Sequence, residues 1–211
     1  MSRYAISDIH GCASTFANLL QRIDFGRNDE LFLLGDYIDR GPDSRGVLHH
    51  IWRLQGEGYQ VVCLRGNHEQ MLLDALREGR APWDYLPHRR ERQQTMHWME
   101  YLPFYHETPG YFLVHAGLNF EIDDPLADEE AMLWIRDWED TLDRDWLGER
   151  ILLYGHTPRP MEIMQREVQD MSLRQMVCLD SGCAMHYPGM GYLTALNLDT
   201  GKAVFEARGG I

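Results

Sequence analysis

The sequence lacks the long apolar segments and the paired cysteines that mark several classes of protein. No apolar run in its 211 residues approaches the roughly 20 residues that a membrane-spanning helix needs. Its four cysteines show no C-x-x-C spacing, which argues against both a zinc knuckle and a disulfide scaffold. No basic and apolar leader precedes the first strand-like segment. We therefore expect a cytoplasmic protein with no membrane partner.

Basic residues are scarce as well. Twenty Lys and Arg oppose 33 Asp and Glu, which leaves a formal charge of −13. Nucleic acids bind to basic surfaces, so we expect no nucleic-acid partner. Twelve of the carboxylates lie between Glu121 and Glu149. We interpret the surrounding residues, about 119–150, as a solvated acidic insertion in one domain that covers residues 1–211.

Short apolar runs alternate with helical patterns along the first part of the chain. The predicted strands are Tyr4–Ser7, Leu31–Leu34 and Gln60–Leu64, and the predicted helices are Ser14–Ile23, Ser44–Leu54, Glu69–Arg77 and Glu91–Leu102. Later strand candidates are Tyr111–His115, Ile151–Tyr154, Gln175–Leu179, Tyr192–Leu198 and Ala203–Ala207. This alternation predicts a mixed α/β fold with parallel strands and helices packed outside the sheet.

Polar clusters follow five of these strands. They read DIHG from Asp8, GDYIDRG from Gly35, RGNHE from Arg65, HAG from His115 and GHT from Gly155. One such cluster is explained by turn formation alone, because Asp, Asn and Gly favour turns. Five clusters at predicted strand ends instead indicate a binding crevice, which in open α/β sheets lies at the carboxyl ends of the strands.

The chemistry of these clusters indicates a metal site. Six side chains offer carboxylate, imidazole or amide groups and no thiolate: Asp8, His10, Asp36, Asn67, His115 and His156. Such a set suits manganese, iron or zinc ions better than a thiolate-bound structural zinc. Six ligands exceed one ordinary site, but they suit two metals that share a carboxylate.

The ordered motifs DIHG, GDYIDRG, RGNHE, HAG and GH resemble those of the calcineurin-like metallophosphoesterases. They are most similar to the phosphoprotein phosphatase branch, which includes bacterial and bacteriophage serine/threonine phosphatases. The resemblance runs from Asp8 to His156, and CLDSGC with GYLTALNL extends it. It departs from the family pattern at Ser7, where glycine is common, and in HAG, where HGG is usual. The resemblance implies a four-layer fold of two face-to-face β-sheets flanked by helices.

The resemblance also implies a role for each metal ligand. Asp8 and His10 would hold one metal, and Asp36 would bridge it to a second metal. The remaining three ligands would hold that second metal: Asn67, His115 and His156. Manganese is the expected ion at both positions, and iron and zinc would also be accepted.

Further side chains receive catalytic or phosphate-binding roles from the same resemblance. His68, oriented by Asp39, would donate a proton to the leaving group. The phosphate-binding side chains would be Arg40, Arg136, Asn67 and Arg65. A guanidinium fork matches phosphate geometry, which supports Arg40 and Arg136 as clamps. For Arg65 a structural role has equal weight.

From these roles we expect a phosphatase that hydrolyses phosphomonoesters with water activated by two metals, and whose substrates are phosphoserine and phosphothreonine in proteins. The alternative is a diadenosine tetraphosphate hydrolase of the same superfamily. That branch tends to lack the Asp-Arg pair that Asp39 and Arg40 supply here. A non-catalytic phosphate-binding module is a third possibility, but the loss of ligands that would mark it is not seen. The substrate partner is thus a phosphorylated protein or a small phosphoester.

Overall fold

The computed structural model describes residues 1–80 and 88–209, and it contains two β-sheets with helices around them. The strands are β1 Arg3–Ile6, β2 Glu30–Leu33, β3 Gln60–Cys63, β4 Tyr105–Thr108, β5 Tyr111–Val114, β6 Ile151–Tyr154, β7 Met176–Cys178, β8 Tyr192–Asn197 and β9 Lys202–Ala207. The α-helices are α1 Ala13–Arg22, α2 Ser44–Gly56, α3 Asn67–Arg77, α4 Arg89–Glu100, α5 Glu129–Trp134, α6 Arg144–Leu147, α7 Met161–Gln169 and α8 Met171–Arg174. Short 3₁₀ helices cover Pro125–Ala127 and Glu139–Thr141. Within the described residues, no helix is both long and apolar enough to span a bilayer.

The first sheet has five strands in the order β3-β2-β1-β8-β9. Strands β1, β2 and β3 are parallel, and their last residues are in register, with Ile6 opposite Leu33 and Leu33 opposite Cys63. The polar segments that follow these strands therefore start from the same edge of the sheet. Strands β8 and β9 form the antiparallel hairpin that the sequence predicts.

The second sheet has four strands in the order β4-β5-β6-β7. Strands β5, β6 and β7 are parallel, and β4 pairs antiparallel with β5 at the edge. The mixed α/β fold with two sheets and flanking helices is confirmed. Strand β4 and helices α5 to α8 were not predicted from the sequence.

The strands bury alternate residues on opposite faces, as a period of two requires. Ala5 and Phe32 of the first sheet pack in one apolar cluster with Leu113 and Leu153 of the second, so this cluster fills the space between the sheets. The opposite face of the first sheet packs against helices α1 and α2 in a separate cluster. That cluster includes Ile6, Leu33, Phe16, Leu19, Val47 and Ile51.

The acidic insertion is anchored to the core rather than fully solvated. Its apolar side chains Met132, Trp138 and Leu147 pack on the outer face of the second sheet. Trp138 Nε1 donates to the Ala116 carbonyl at 3.1 Å, and the Trp138 ring lies 5.0 Å from that of Tyr154. Several of its carboxylates cap short helices: Asp124, Asp128 and Asp143 accept hydrogen bonds from backbone amides at helix starts. Helix capping therefore explains part of the negative charge, which composition alone presents as a solvated surface.

We predict that Trp138→Ala lowers the free energy of unfolding by about 3–5 kcal/mol, because it removes a buried indole and leaves a cavity. Urea unfolding followed by circular dichroism measures the effect. Trp134→Ala is the matched control, because Trp134 is 40% exposed. Its expected effect is within about 0.5 kcal/mol. Equal midpoints for the wild type and Trp138→Ala would show that the insertion is not part of the core.

Candidate metal centre

The loops after β1, β2, β3, β5 and β6 bring the six predicted metal ligands together. All six are buried: Asp8, His10, Asp36, Asn67, His115 and His156. They come from both sheets, so the centre lies where the carboxyl ends of the two sets of parallel strands meet. Asn67 starts helix α3 directly after β3, which explains why a buried strand is followed by polar side chains.

Asp36 occupies the middle of this set. Its Oδ2 lies 3.4 Å from His10 Nε2, and its Oδ1 lies 3.5 Å from His115 Nε2. The Oδ1 atom also accepts a hydrogen bond from the backbone amide of His68 at 3.0 Å. Asp8 approaches from the first side, with Oδ1 3.9 Å from His10 Nε2.

Asn67, His115 and His156 form the second side. The Asn67 Oδ1 atom lies 2.9 Å from His115 Nε2 and 2.9 Å from His156 Nδ1. The Nε2 atom of His156 is buried and has no hydrogen-bond partner of good geometry within residues 1–80 and 88–209. A buried polar atom without a partner is costly unless something else binds it.

These residues fit two divalent ions that share Asp36. Two groups of side chains bring their ligand atoms within 4.8 Å of one another, namely His10-Asp36-His68 and Asp36-His115-His156. The first group contains His68, which is not a predicted ligand, whereas the predicted ligand Asp8 lies beside it, 3.9 Å from His10 Nε2. The donors are oxygen and nitrogen atoms without a thiolate, as the sequence predicts.

Burial and neighbouring charges keep these groups in the protonation states that metal binding requires. Burial lowers the pKa of His156 to about 3 and also lowers the pKa of His10, so both imidazoles are neutral at pH 7. Burial acts to raise the pKa of Asp36, but His115, His10 and His68 outweigh it, and the pKa of Asp36 lies below its ordinary value. The centre thus presents neutral imidazoles around an ionised carboxylate.

The backbone at the centre is strained. Six predicted site residues have positive φ angles, which side chains other than glycine rarely adopt: Asp8, His10, Asp36, Asp39, Arg40 and His156. Each such conformation costs about 1–3 kcal/mol and persists only when the surroundings hold it. Here the loops hold one another, because the amides of His10 and Gly11 donate to the carbonyls of Asp36 and Tyr37 at 2.8 and 2.9 Å.

Asp8 is fixed by groups from two loops. The Ser7 hydroxyl and the His156 amide both donate to Asp8 Oδ2, the latter at 3.1 Å. This contact gives a function to Ser7, which replaces the glycine common in the resembled family. Gly155 passes so close that a Cβ atom there would lie 2.0 Å from both Asp8 Oδ2 and Ser7 Oγ.

His68 lies beside the first group of ligands, with its ring 4.7 Å from that of His10. Its Nδ1 atom is 2.7 Å from Asp39 Oδ2. Burial acts to lower the pKa of His68, but the hydrogen bond to Asp39 and the charge of Asp36 raise it above its ordinary value. The arrangement favours an imidazolium whose other nitrogen faces the centre. Arg40, which follows Asp39 in the chain, is exposed and makes no ion pair within the described part of the chain.

The two remaining predicted arginines differ in placement. Arg136 reaches the second side of the centre, where it donates to Thr157 Oγ1 at 3.2 Å and its charge acts on His156. Arg65 is buried, with Nη1 3.0 Å from Gln70 Oε1 and Nη2 2.6 Å from the Glu100 carbonyl. Its guanidinium also lies 4.7 Å above the Phe104 ring. These contacts favour the structural role for Arg65.

Two buried carboxylates at the centre were missed by the sequence analysis. Glu69 accepts backbone hydrogen bonds from Asp36 at 2.8 Å, Tyr37 at 2.9 Å and Gly66 at 3.0 Å, and so fixes the loop that carries Asp36. A Glu three residues after the residue that precedes a helix often accepts that residue's backbone amide, as Glu69 does here, and this spacing could have indicated it. Burial and then the charge of Asp36 raise the pKa of Glu69 to about 7.

The second missed carboxylate, Asp180, follows β7. It is buried, and its Oδ1 accepts from the Gly182 amide at 2.8 Å. Burial and then the charge of Asp8 raise the pKa of Asp180 well above its ordinary value. The Asp-Ser-Gly that starts at Asp180 follows a predicted strand, as the five polar clusters of the candidate site do. This similarity could have indicated Asp180.

Two curated proteins similar to this chain carry the same name. A symmetrical bis(5'-nucleosyl)-tetraphosphatase from Nitrosococcus oceani is 34% identical over 75% of this chain and 58% of its own length. One from Nitrosomonas europaea is 30% identical over 93% of this chain and 75% of its own length. The chain therefore spans little more than half of the first relative.

Solved structures with the same fold have different names. The structure of a candidate diadenosine tetraphosphatase superposes with a TM-score of 0.71 at 22% identity, over 99% of this chain and 95% of the other. A serine/threonine phosphatase from Saccharomyces cerevisiae superposes with a TM-score of 0.73 at 17% identity, over 100% of this chain and 80% of the other. At these identities the likeness concerns the fold alone.

The model of one protein family matches residues 1–186, a range that contains all six candidate metal ligands. The match agrees with the order of the motifs and with the two-sheet fold. The chain belongs to the calcineurin-like phosphoesterase family.

Proposed function

We propose that this chain hydrolyses dinucleoside tetraphosphates symmetrically, releasing two nucleoside diphosphates. The observation that carries the proposal is the name shared by the curated relatives, one of which aligns with 93% of the chain. The proposal reverses the order of preference that Asp39 and Arg40 suggest in the sequence, where the phosphoprotein phosphatase comes first.

The chemistry rests on a pair of divalent ions, which the family and the donor set both support. In our proposal Asp8 and His10 hold one ion, Asp36 is shared, and the others hold the second ion: Asn67, His115 and His156. Two such ions, when bound, activate water as a nucleophile and stabilise charge on the phosphoryl oxygens.

The remaining roles belong to side chains of this protein. Arg40 carries an exposed guanidinium beside the centre, and Arg136 carries another on the opposite side, so both can bind phosphoryl oxygens. His68, held at 2.7 Å by Asp39, lies beside the centre, where its imidazolium can stabilise negative charge on the leaving oxygen and can give a proton to a leaving group that requires one. Arg65 has no catalytic role in this proposal, because both of its terminal nitrogens are occupied.

A second candidate function is supported by the His68–Asp39 pair. A diphosphate leaves without a proton near neutral pH, whereas a serine or threonine alkoxide requires one. An imidazole with a raised pKa beside a carboxylate therefore suits phosphoserine and phosphothreonine substrates. Activity on phosphoproteins is the second candidate for this reason.

A substrate panel under manganese separates the two candidates. We predict that diadenosine tetraphosphate is hydrolysed with a kcat/KM about tenfold or more above that of a phosphoserine peptide, since only the former places negative charge on both sides of the scissile bond. Chromatography should show ADP as the one nucleotide product. Formation of ATP with AMP, or a preference for the peptide, would contradict the proposal.

Asp36→Asn tests the shared ligand. The change removes a negative charge between two cations and keeps the shape of the side chain. We predict the loss of at least one metal equivalent by elemental analysis and a decrease in turnover by orders of magnitude. Asp24→Asn is the matched control, because Asp24 is exposed and has a similar φ of 52°. Two tightly bound metals and near-normal turnover in Asp36→Asn would refute the assignment.

His68→Asn tests the proton donor. General acid catalysis contributes about 10²–10⁴-fold, and this contribution is concentrated on poor leaving groups. We predict that the variant loses far more activity on a phosphoserine peptide than on p-nitrophenyl phosphate or diadenosine tetraphosphate, with its metal content retained. Asp39→Asn should show the same bias at smaller size. Equal losses on all three substrates would remove the acid role.

A further inference from the structure

A cavity of about 410 Å³ opens beside the proposed centre, and the catalytic roles above do not use it. It lies between the first turn of α1 and the loop that follows β2, and residues near the end of the chain close its outer side. Its lining includes Ser14, Arg40, Gly41, His186 and Arg208. Arg40 lines this cavity and is also a proposed phosphate-binding residue, so the cavity adjoins the proposed phosphate site.

The two arginines in the lining have no acidic partners. Arg208 donates through Nη1 to the Ala184 carbonyl at 3.2 Å, and its Nη2 lies 2.8 Å from His186 Nε2. Neither Arg40 nor Arg208 forms an ion pair with a carboxylate in the described residues 1–80 and 88–209.

Several arginines elsewhere in the described chain do pair with carboxylates, although others, such as Arg65 and Arg136, also bind only uncharged groups. Ion pairs with carboxylates are made by Arg3, Arg22, Arg45, Arg150 and Arg159. Arg208 is half-buried and Arg40 is exposed, so the cavity presents two guanidinium groups that are not neutralised by a carboxylate of the described residues, which suits an anionic ligand.

Asp39 and Arg40 connect the cavity to the proposed proton donor, His68. His68 is the proposed proton donor to the leaving oxygen, and Asp39 holds it at 2.7 Å. Arg40 follows Asp39 directly in the chain and lines the cavity. A leaving group bound by Arg40 would therefore enter the cavity that Arg40 and Arg208 both line.

We propose that this cavity binds the diphosphate of the leaving nucleotide, with Arg208 as the binding residue for the phosphate farther from the scissile bond. The inference rests on the proposed function and names a substrate-binding site for it. A dinucleoside tetraphosphate carries negative charge into the cavity on its leaving half. A phosphoserine peptide carries its uncharged main chain there, so Arg208 would favour polyphosphates over phosphopeptides.

The test measures how ADP and inorganic phosphate inhibit the hydrolysis of p-nitrophenyl phosphate, whose leaving group has no phosphate. In the wild type, ADP and pyrophosphate should inhibit at lower concentrations than AMP and inorganic phosphate. In Arg208→Gln the ratio of the ADP inhibition constant to the phosphate inhibition constant should rise about tenfold or more, as expected for the loss of a charge-assisted hydrogen bond. Arg208→Lys keeps the charge, so its ratio should lie between those of the wild type and Arg208→Gln.

Arg22→Gln is the matched control. Arg22 contacts β9, the strand that precedes Arg208, but it pairs with Glu206 at 3.0 Å. Its ratio should equal that of the wild type. An unchanged ratio in Arg208→Gln, or an equal rise in both constants, would overturn the inference. If Arg208→Gln does not fold, equal inhibition of the wild type by pyrophosphate and phosphate would overturn it as well. Failure of the proposed function appears separately, as absence of ADP release from diadenosine tetraphosphate by the wild type.

Discussion

The carboxylate of Asp36 is buried between imidazoles from separate strand ends, and a negative charge so far from water needs positive partners. His10 and His115 approach its two oxygens at 3.4 and 3.5 Å, yet burial keeps the pKa of His10 low, so that imidazole is neutral. The neutral imidazole of His10 leaves much of this charge unbalanced, whereas divalent cations held by the same side chains would balance it. The five surrounding loops can therefore be understood as a cage for cations whose common ligand is Asp36.

The cage is held by backbone contacts rather than by the ligands alone. Glu69 accepts the amides of Asp36 and Tyr37, and the amide of His10 donates to the Asp36 carbonyl. These bonds stabilise left-handed backbone at residues that would otherwise avoid it. The two sheets provide the rigid support, since their parallel strands end together at this edge and the apolar cluster between them fixes their relation.

The strand–helix alternation and the gathering of the six candidate ligands at the strand ends were predictable from sequence, because each depends on local patterns, such as buried strands that are followed by Asp, His or Asn. Other features depend on distant partners and were not. Trp138 is buried because of the sheet face it covers, although its segment is acidic. A binding role for Arg208 could not be predicted, because Arg208 and Arg40 are far apart in sequence and line one cavity only in the folded chain. The substrate also could not be predicted from the motifs, because both candidate functions use the same centre.

The fold is shared by structures with different activities, so the substrate is decided by the side chains around a common centre. The central claim is that this centre holds two metals through Asp36. Anomalous diffraction from crystals grown with manganese tests it most directly. We predict two anomalous peaks, each within bonding distance of an Asp36 oxygen, one also beside His10 and the other beside His115. A single peak, or two peaks that Asp36 does not contact, would contradict this account.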